Sequence, residues 1–106
     1  MRDTQYQTPL FEEKKSIYSR CIDVYGFDAQ ITQSMGECGE FIGVAQNYRR
    51  DKVPLNLLMG EVVDTYVMML QMREMNPEMF DRILKQTLKR IEDRLDRKER
   101  ENERQE

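Results

Sequence analysis

Apolar positions recur at three- and four-residue intervals along almost the whole chain, and punctuation divides them into four stretches. In the first, Leu10, Phe11, Ile17, Tyr18, Cys21, Ile22 and Tyr25 follow a Thr8-Pro9 pair that reads as an N-cap with proline at the first helical position, and Gly26 ends it. The second runs to about Asn47, with Asp28 as its expected N-cap. A polar connection follows through Arg49, Arg50, Asp51, Lys52 and Pro54. The third helix is predicted from about Leu55 to Met75. Asn76-Pro77 opens the fourth, whose face is Met79, Phe80, Ile83, Leu84, Thr87, Leu88, Ile91 and Leu95. No stretch alternates as a strand bounded by hairpin turns. The expected class is all-α, a bundle of antiparallel neighbours joined by short connections.

Charge is distributed unevenly over these helices. The chain has 106 residues, 35 % of them charged, with 17 Lys plus Arg, 20 Asp plus Glu and a net charge of −3. From Ala29 to Asn47 the only charges are Glu37 and Glu40, and from Leu57 to Met72 the only ones are Glu61 and Asp64. A helix apolar nearly all round is a buried helix, so the third is expected in the interior, with Tyr25, Tyr48 and Tyr66 as core residues. The last fifteen residues, from Glu92 on, carry twelve charges of mixed sign and are expected to fray into a solvated tail.

Composition removes several chemistries. With no His, Ser-His-Asp and Cys-His catalysis and imidazole-rich metal sites are out. Two cysteines, Cys21 and Cys38, make neither a disulfide scaffold nor a four-thiolate zinc site, and are expected as reduced thiols in a cytoplasmic protein. The near balance of charge argues against a nucleic-acid binder. No apolar run is long enough to span a membrane, and the N-terminal residues have no signal-like apolar segment.

Carboxylates are left to carry any chemistry. Glu37 and Glu40 are three residues apart, as are Glu61 and Asp64, so each pair shares a helix face that otherwise continues in apolar residues. Four carboxylates in apolar surroundings repel one another and lose hydration unless something compensates, and neither helix interior holds a Lys or Arg. A divalent cation with all-oxygen ligands, Mg²⁺ or Mn²⁺, is the economical compensation. Gly36, Gly39 and Gly43 share a neighbouring face, as expected either for close helix packing or for room beside the acids.

The segments GECGEF (Gly36 to Phe41) and GEVVD (Gly60 to Asp64) together resemble the MazG-like all-α nucleoside-triphosphate pyrophosphohydrolases, whose signature is Glu-Glu-x-x-Glu, a spacer, then Glu-x-x-Asp. Glu37 and Glu40 match the second and third acids of the first element, Glu61 and Asp64 match the second element, and the spacer is 20 residues. YGFDAQ upstream and RIEDRL on the last helix also fit. Gly36 stands where the family has its first Glu, and Thr87 falls where a Lys is common. The resemblance implies a four-helix MazG-like domain over residues 9–95, an N-terminal extension over 1–8 and a charged tail over 96–106. It implies assembly as a homodimer or homotetramer. It further implies Mg²⁺-dependent cleavage of a nucleoside triphosphate between the α- and β-phosphates, releasing monophosphate and pyrophosphate. Glu37, Glu40, Glu61 and Asp64 would hold the metal, with Glu37 or Glu40 acting on the attacking water. Lys89, Arg90 and Arg94 would meet phosphate, with Arg49, Arg50 and Lys52 as further candidates, and Gln30 would bind the base. The alternative is a non-catalytic module of the same fold that binds a nucleotide or a protein.

Overall fold

The computed structural model describes residues 15–105, and these are all-helical apart from short connections, with no strand among them. The helices are α1 (Ile17–Tyr25), α2 (Phe27–Arg49), α3 (Leu55–Arg73) and α4 (Pro77–Gln105). The Thr8-Pro9 start expected for the first helix lies outside the described residues. Among the described residues no helix is long and apolar enough to cross a membrane. The chain divides into two units, Met1–Met75 and Asn76–Glu106.

In the first unit, the Ser16 hydroxyl caps α1 by accepting from the Ser19 amide at 3.1 Å. Gly26 then turns the chain at φ 88°, where a side chain is strained. Its amide donates back to the Ile22 carbonyl (2.8 Å), and its own carbonyl accepts from Gln30 (3.1 Å) to start α2. The cap of α2 is therefore Gly26, and the expected cap, Asp28, lies inside the first turn, where its charge still complements the helix N-terminus. After Arg49, Asp51 takes φ 60°, a left-handed turn that Asp tolerates, with Lys52 donating to the Asn47 carbonyl at 2.9 Å.

Helices α2 and α3 form an antiparallel hairpin. Gln30 near the start of α2 meets Gln71 near the end of α3, with Nε2 of Gln30 donating to Oε1 of Gln71 at 2.7 Å. The Gln71 amide donates in turn toward Met68 Sδ at 3.6 Å. Helix α1 reaches the far end of the hairpin, where the Ser19 hydroxyl donates to the Glu74 carboxylate.

The interior of this unit differs from the sequence expectation. Its most buried side chains are Gln71, Ser34, Met68, Gln30 and Ile22, three of the five polar. Among the described residues no large side chain is fully enclosed. Only one side of α3 packs on α2, so the expected burial of the whole helix does not hold among the described residues: Leu55, Met59, Val62, Val63 and Tyr66 are all exposed. Tyr25, Tyr48 and Tyr66 are exposed rather than core.

In the second unit, Asn76 caps α4 as expected, its Oδ1 accepting from the Met79 amide at 3.0 Å. The helix runs 29 residues, through the segment expected to fray. Good helix formers fill that segment, and opposite charges meet along it: Lys89–Asp93 at 2.9 Å and Lys98–Glu101 at 3.9 Å. Ile83, Leu84, Leu88, Ile91 and Leu95 form an apolar stripe that is exposed.

Candidate metal centre

The antiparallel hairpin brings the two acidic pairs to the same level. Ligand oxygens of Glu37, Glu61 and Asp64 lie within 4.8 Å of one another. Glu37 and Glu61 are half-buried and Asp64 is exposed. Glu40 is exposed and stands outside this triad, yet close enough for its charge to act on Glu61. The Glu61 carboxyl titrates above the ordinary value of 4.5, first because of desolvation and then because of the negative charges of Glu40, Asp64 and Glu37.

Among the described residues no cationic partner relieves this repulsion. Glu37 accepts a hydrogen bond from Gln33 Nε2 at 3.2 Å. Oε1 of Glu61 is buried and, among the described residues, has no hydrogen-bond partner. Neither does the buried Thr65 hydroxyl, one turn further along α3. The arrangement fits a hard divalent cation: three oxygen donors converge, one of them an orphaned carboxylate oxygen, with no sulfur or imidazole in the set.

The glycine row is open. A Cβ placed on Gly36, Gly39 or Gly43 meets nothing within 4 Å, so among the described residues close helix packing does not explain these glycines. They leave free space along the side of α2 that carries Glu40.

The other expected site residues are placed as follows. Gln30 is buried and its amide engages Gln71, which makes it part of the hairpin interior. Arg49 and Arg50, with Gln46, line a recess of about 360 Å³ at the C-terminal end of α2. On α4, Lys89 pairs with Asp93, Arg90 donates to the Thr87 hydroxyl at 3.3 Å, and Arg94 borders a shallow recess with Ile91, Leu95 and Lys98. Sequence reasoning missed the Gln30–Gln71 pair. Its signal was available: two polar amides on the inward stripes of two apolar helices, at matching distances from the connecting turn.

No family model, curated protein or solved structure matches the chain.

Proposed function

We propose that this protein is a Mg²⁺-dependent nucleoside-triphosphate pyrophosphohydrolase with a MazG-like helical domain that works as a homodimer or homotetramer. The carrying observation is the convergence of Glu37, Glu61 and Asp64 on two facing helices, with a buried, unpartnered oxygen on Glu61. The spacing of the two acidic elements in the sequence supports the same reading.

Glu37, Glu61 and Asp64 would hold the metal, with Glu40 completing the set from the next turn of α2. Mg²⁺ or Mn²⁺, when bound, supplies electrostatic stabilisation of the charge that develops on phosphate oxygens. The chain's own contribution is positional. The hairpin fixes the carboxylates on rigid helices rather than loops, and the Gln33 amide orients Glu37. Glu40, exposed and free of any hydrogen bond among the described residues, is placed to orient a water and accept its proton. The open glycine row leaves space for a phosphate chain beside the acids. Within the same unit, Arg49, Arg50 and Lys52 are the cations that would neutralise the remaining phosphate charge.

The test is pyrophosphate release from a panel of ribo- and deoxyribonucleoside triphosphates with Mg²⁺, with product identification. The enzyme reading expects monophosphate and pyrophosphate from at least one nucleotide, lost in Glu61→Gln and Asp64→Asn. A folded protein that releases none from any of them refutes it. One observation favours a non-catalytic module instead: Glu40, the carboxylate given to the water, stands outside the close triad. Nucleotide binding with Mg²⁺ but without turnover would be the outcome in its favour.

A further inference from the structure

Six serine and threonine side chains lie among the described residues, and five of them have hydrogen-bond partners. Ser16 accepts from the Ser19 amide, and the Ser19 hydroxyl donates to Glu74. Inside α2, the Thr32 hydroxyl donates to the Asp28 carbonyl at 3.2 Å and the Ser34 hydroxyl to the Ile31 carbonyl at 2.7 Å. On α4, Thr87 accepts from Arg90. Bonding back to the preceding turn is the ordinary way for a hydroxyl inside a helix to be satisfied. Thr65 departs from this. Its Oγ1 is buried and, among the described residues, bonds neither to that turn nor to any other group.

Thr65 lines a groove of about 230 Å³ with Phe41, Val62 and Tyr66. Its oxygen is buried and takes no part in that surface. The carbon atoms of Thr65 therefore meet the groove, and the hydroxyl turns inward. Four residues earlier on the same helix stands Glu61, whose Oε1 is likewise buried and without a partner among the described residues. Positions four apart share a helix face, with Cβ atoms roughly 5–6 Å apart. One orphan is a carboxylate acceptor and the other carries a proton to donate, so each offers what the other lacks.

The two groups can meet without moving the backbone. The terminal torsion of a glutamate is soft, and a helical threonine has two accessible positions for its hydroxyl. A carboxylate has about four lone-pair positions, so it can serve a cation and a hydroxyl together. Carboxylates that ligate a metal are in turn hydrogen-bonded from behind, which fixes the way they face. Glu37 already has such a helper in Gln33, four residues before it. In an antiparallel hairpin, four residues back along α2 and four residues onward along α3 lead the same way. Gln33 and Thr65 therefore both stand on the Gln30–Gln71 side of the acidic triad, one behind each half-buried carboxylate.

We propose that Thr65 is a positioning residue of the metal centre: with a divalent cation among Glu37, Glu61 and Asp64, its hydroxyl donates to the buried oxygen of Glu61 and fixes the direction in which that carboxylate faces the ion. This rests on the metal-centre reading of the triad and adds to it an uncharged residue that acts only through Glu61.

The experiment uses the full chain without nucleotide. Mn²⁺ binding is followed through the paramagnetic resonance of the free ion, and metal-free unfolding by circular dichroism with EDTA. Thr65→Val nearly keeps the shape and removes the hydroxyl, whereas Thr65→Ser keeps the hydroxyl. Thr65→Val is expected to raise the Kd for Mn²⁺ roughly 10- to 100-fold, and Thr65→Ser to bind close to the unmodified protein. The metal-free Tm of Thr65→Val is expected to be unchanged or higher, because a buried hydroxyl without a partner is gone. If Thr65→Val binds Mn²⁺ as tightly as the unmodified protein, the role of Thr65 is overturned and the metal centre stands. A lost affinity that Thr65→Ser does not restore also overturns it. So does a metal-free protein that Thr65→Val destabilises, since the hydroxyl would then serve the fold rather than the ion. An unmodified protein that binds no Mn²⁺ at millimolar concentration overturns the metal-centre reading itself, and the role of Thr65 with it.

Discussion

Replacing Gly36, Gly39 and Gly43 together by alanine is expected to stabilise the protein and, on the proposed function, to slow pyrophosphate release. All three lie inside α2, where glycine costs about 0.8–1 kcal/mol against alanine through backbone entropy. None has a positive φ; among the described glycines only Gly26 does. None has an atom within 4 Å of the position a methyl group would take. The three gains are therefore unopposed, and the triple variant should gain about 2–3 kcal/mol in unfolding free energy. That raises Tm by roughly 10–20 °C for a domain of this size. The assay is urea unfolding followed by circular dichroism at one protein concentration with EDTA present. The midpoint should rise with the slope unchanged, because the new methyl groups bury nothing. A lower midpoint refutes the reasoning, since it means that another surface rests on the glycine row in solution. The same variant is then assayed for pyrophosphate release with Mg²⁺. Three methyl groups beside Glu40 narrow the space assigned to the phosphate chain, so turnover should fall as stability rises. Unchanged turnover would remove the glycines from the substrate's path.

Other outcomes follow from particular contacts. The metal-free protein should become less stable as pH rises from about 4.5 toward 7, because the raised Glu61 carboxyl binds its proton more tightly in the folded state than in the unfolded one. Glu61→Gln should flatten that slope and raise the metal-free Tm at pH 7, as thermal melts across this range would show. Mg²⁺ or Mn²⁺ at 100 times its Kd should stabilise the protein by about 2.7 kcal/mol, an effect lost in Asp64→Asn, checked by melting with and without chelator. Gln71→Ala strands the buried Gln30 amide and should cost at least about 1–3 kcal/mol in urea unfolding, whereas Gln30→Leu with Gln71→Met should cost less than Gln71→Ala alone. Asn76→Ala removes the α4 cap and should lower helix content and stability by about 1 kcal/mol.

Local residue pattern was enough to specify the helices and where they stop. Period, proline and cap residues act within a few positions, so the glycine at 26, the turn before Leu55 and the Asn76 cap were all legible. The pairing of acids three apart, and the absence of basic residues around them, was equally local. Cap choice at the start of α2 was misjudged because Gly26 serves both helices at once, a matter of backbone geometry rather than residue type. Which faces are covered depended on packing between helices. Apolar composition told of a surface that avoids water but not of what excludes the water, and α3 read as buried although among the described residues several of its large apolar side chains are exposed. The convergence of Glu37, Glu61 and Asp64 without Glu40, and the burial of Gln30 against Gln71, depend on the register between two helices. That register is set by contacts between residues some 25 to 40 positions apart, which no local pattern specifies.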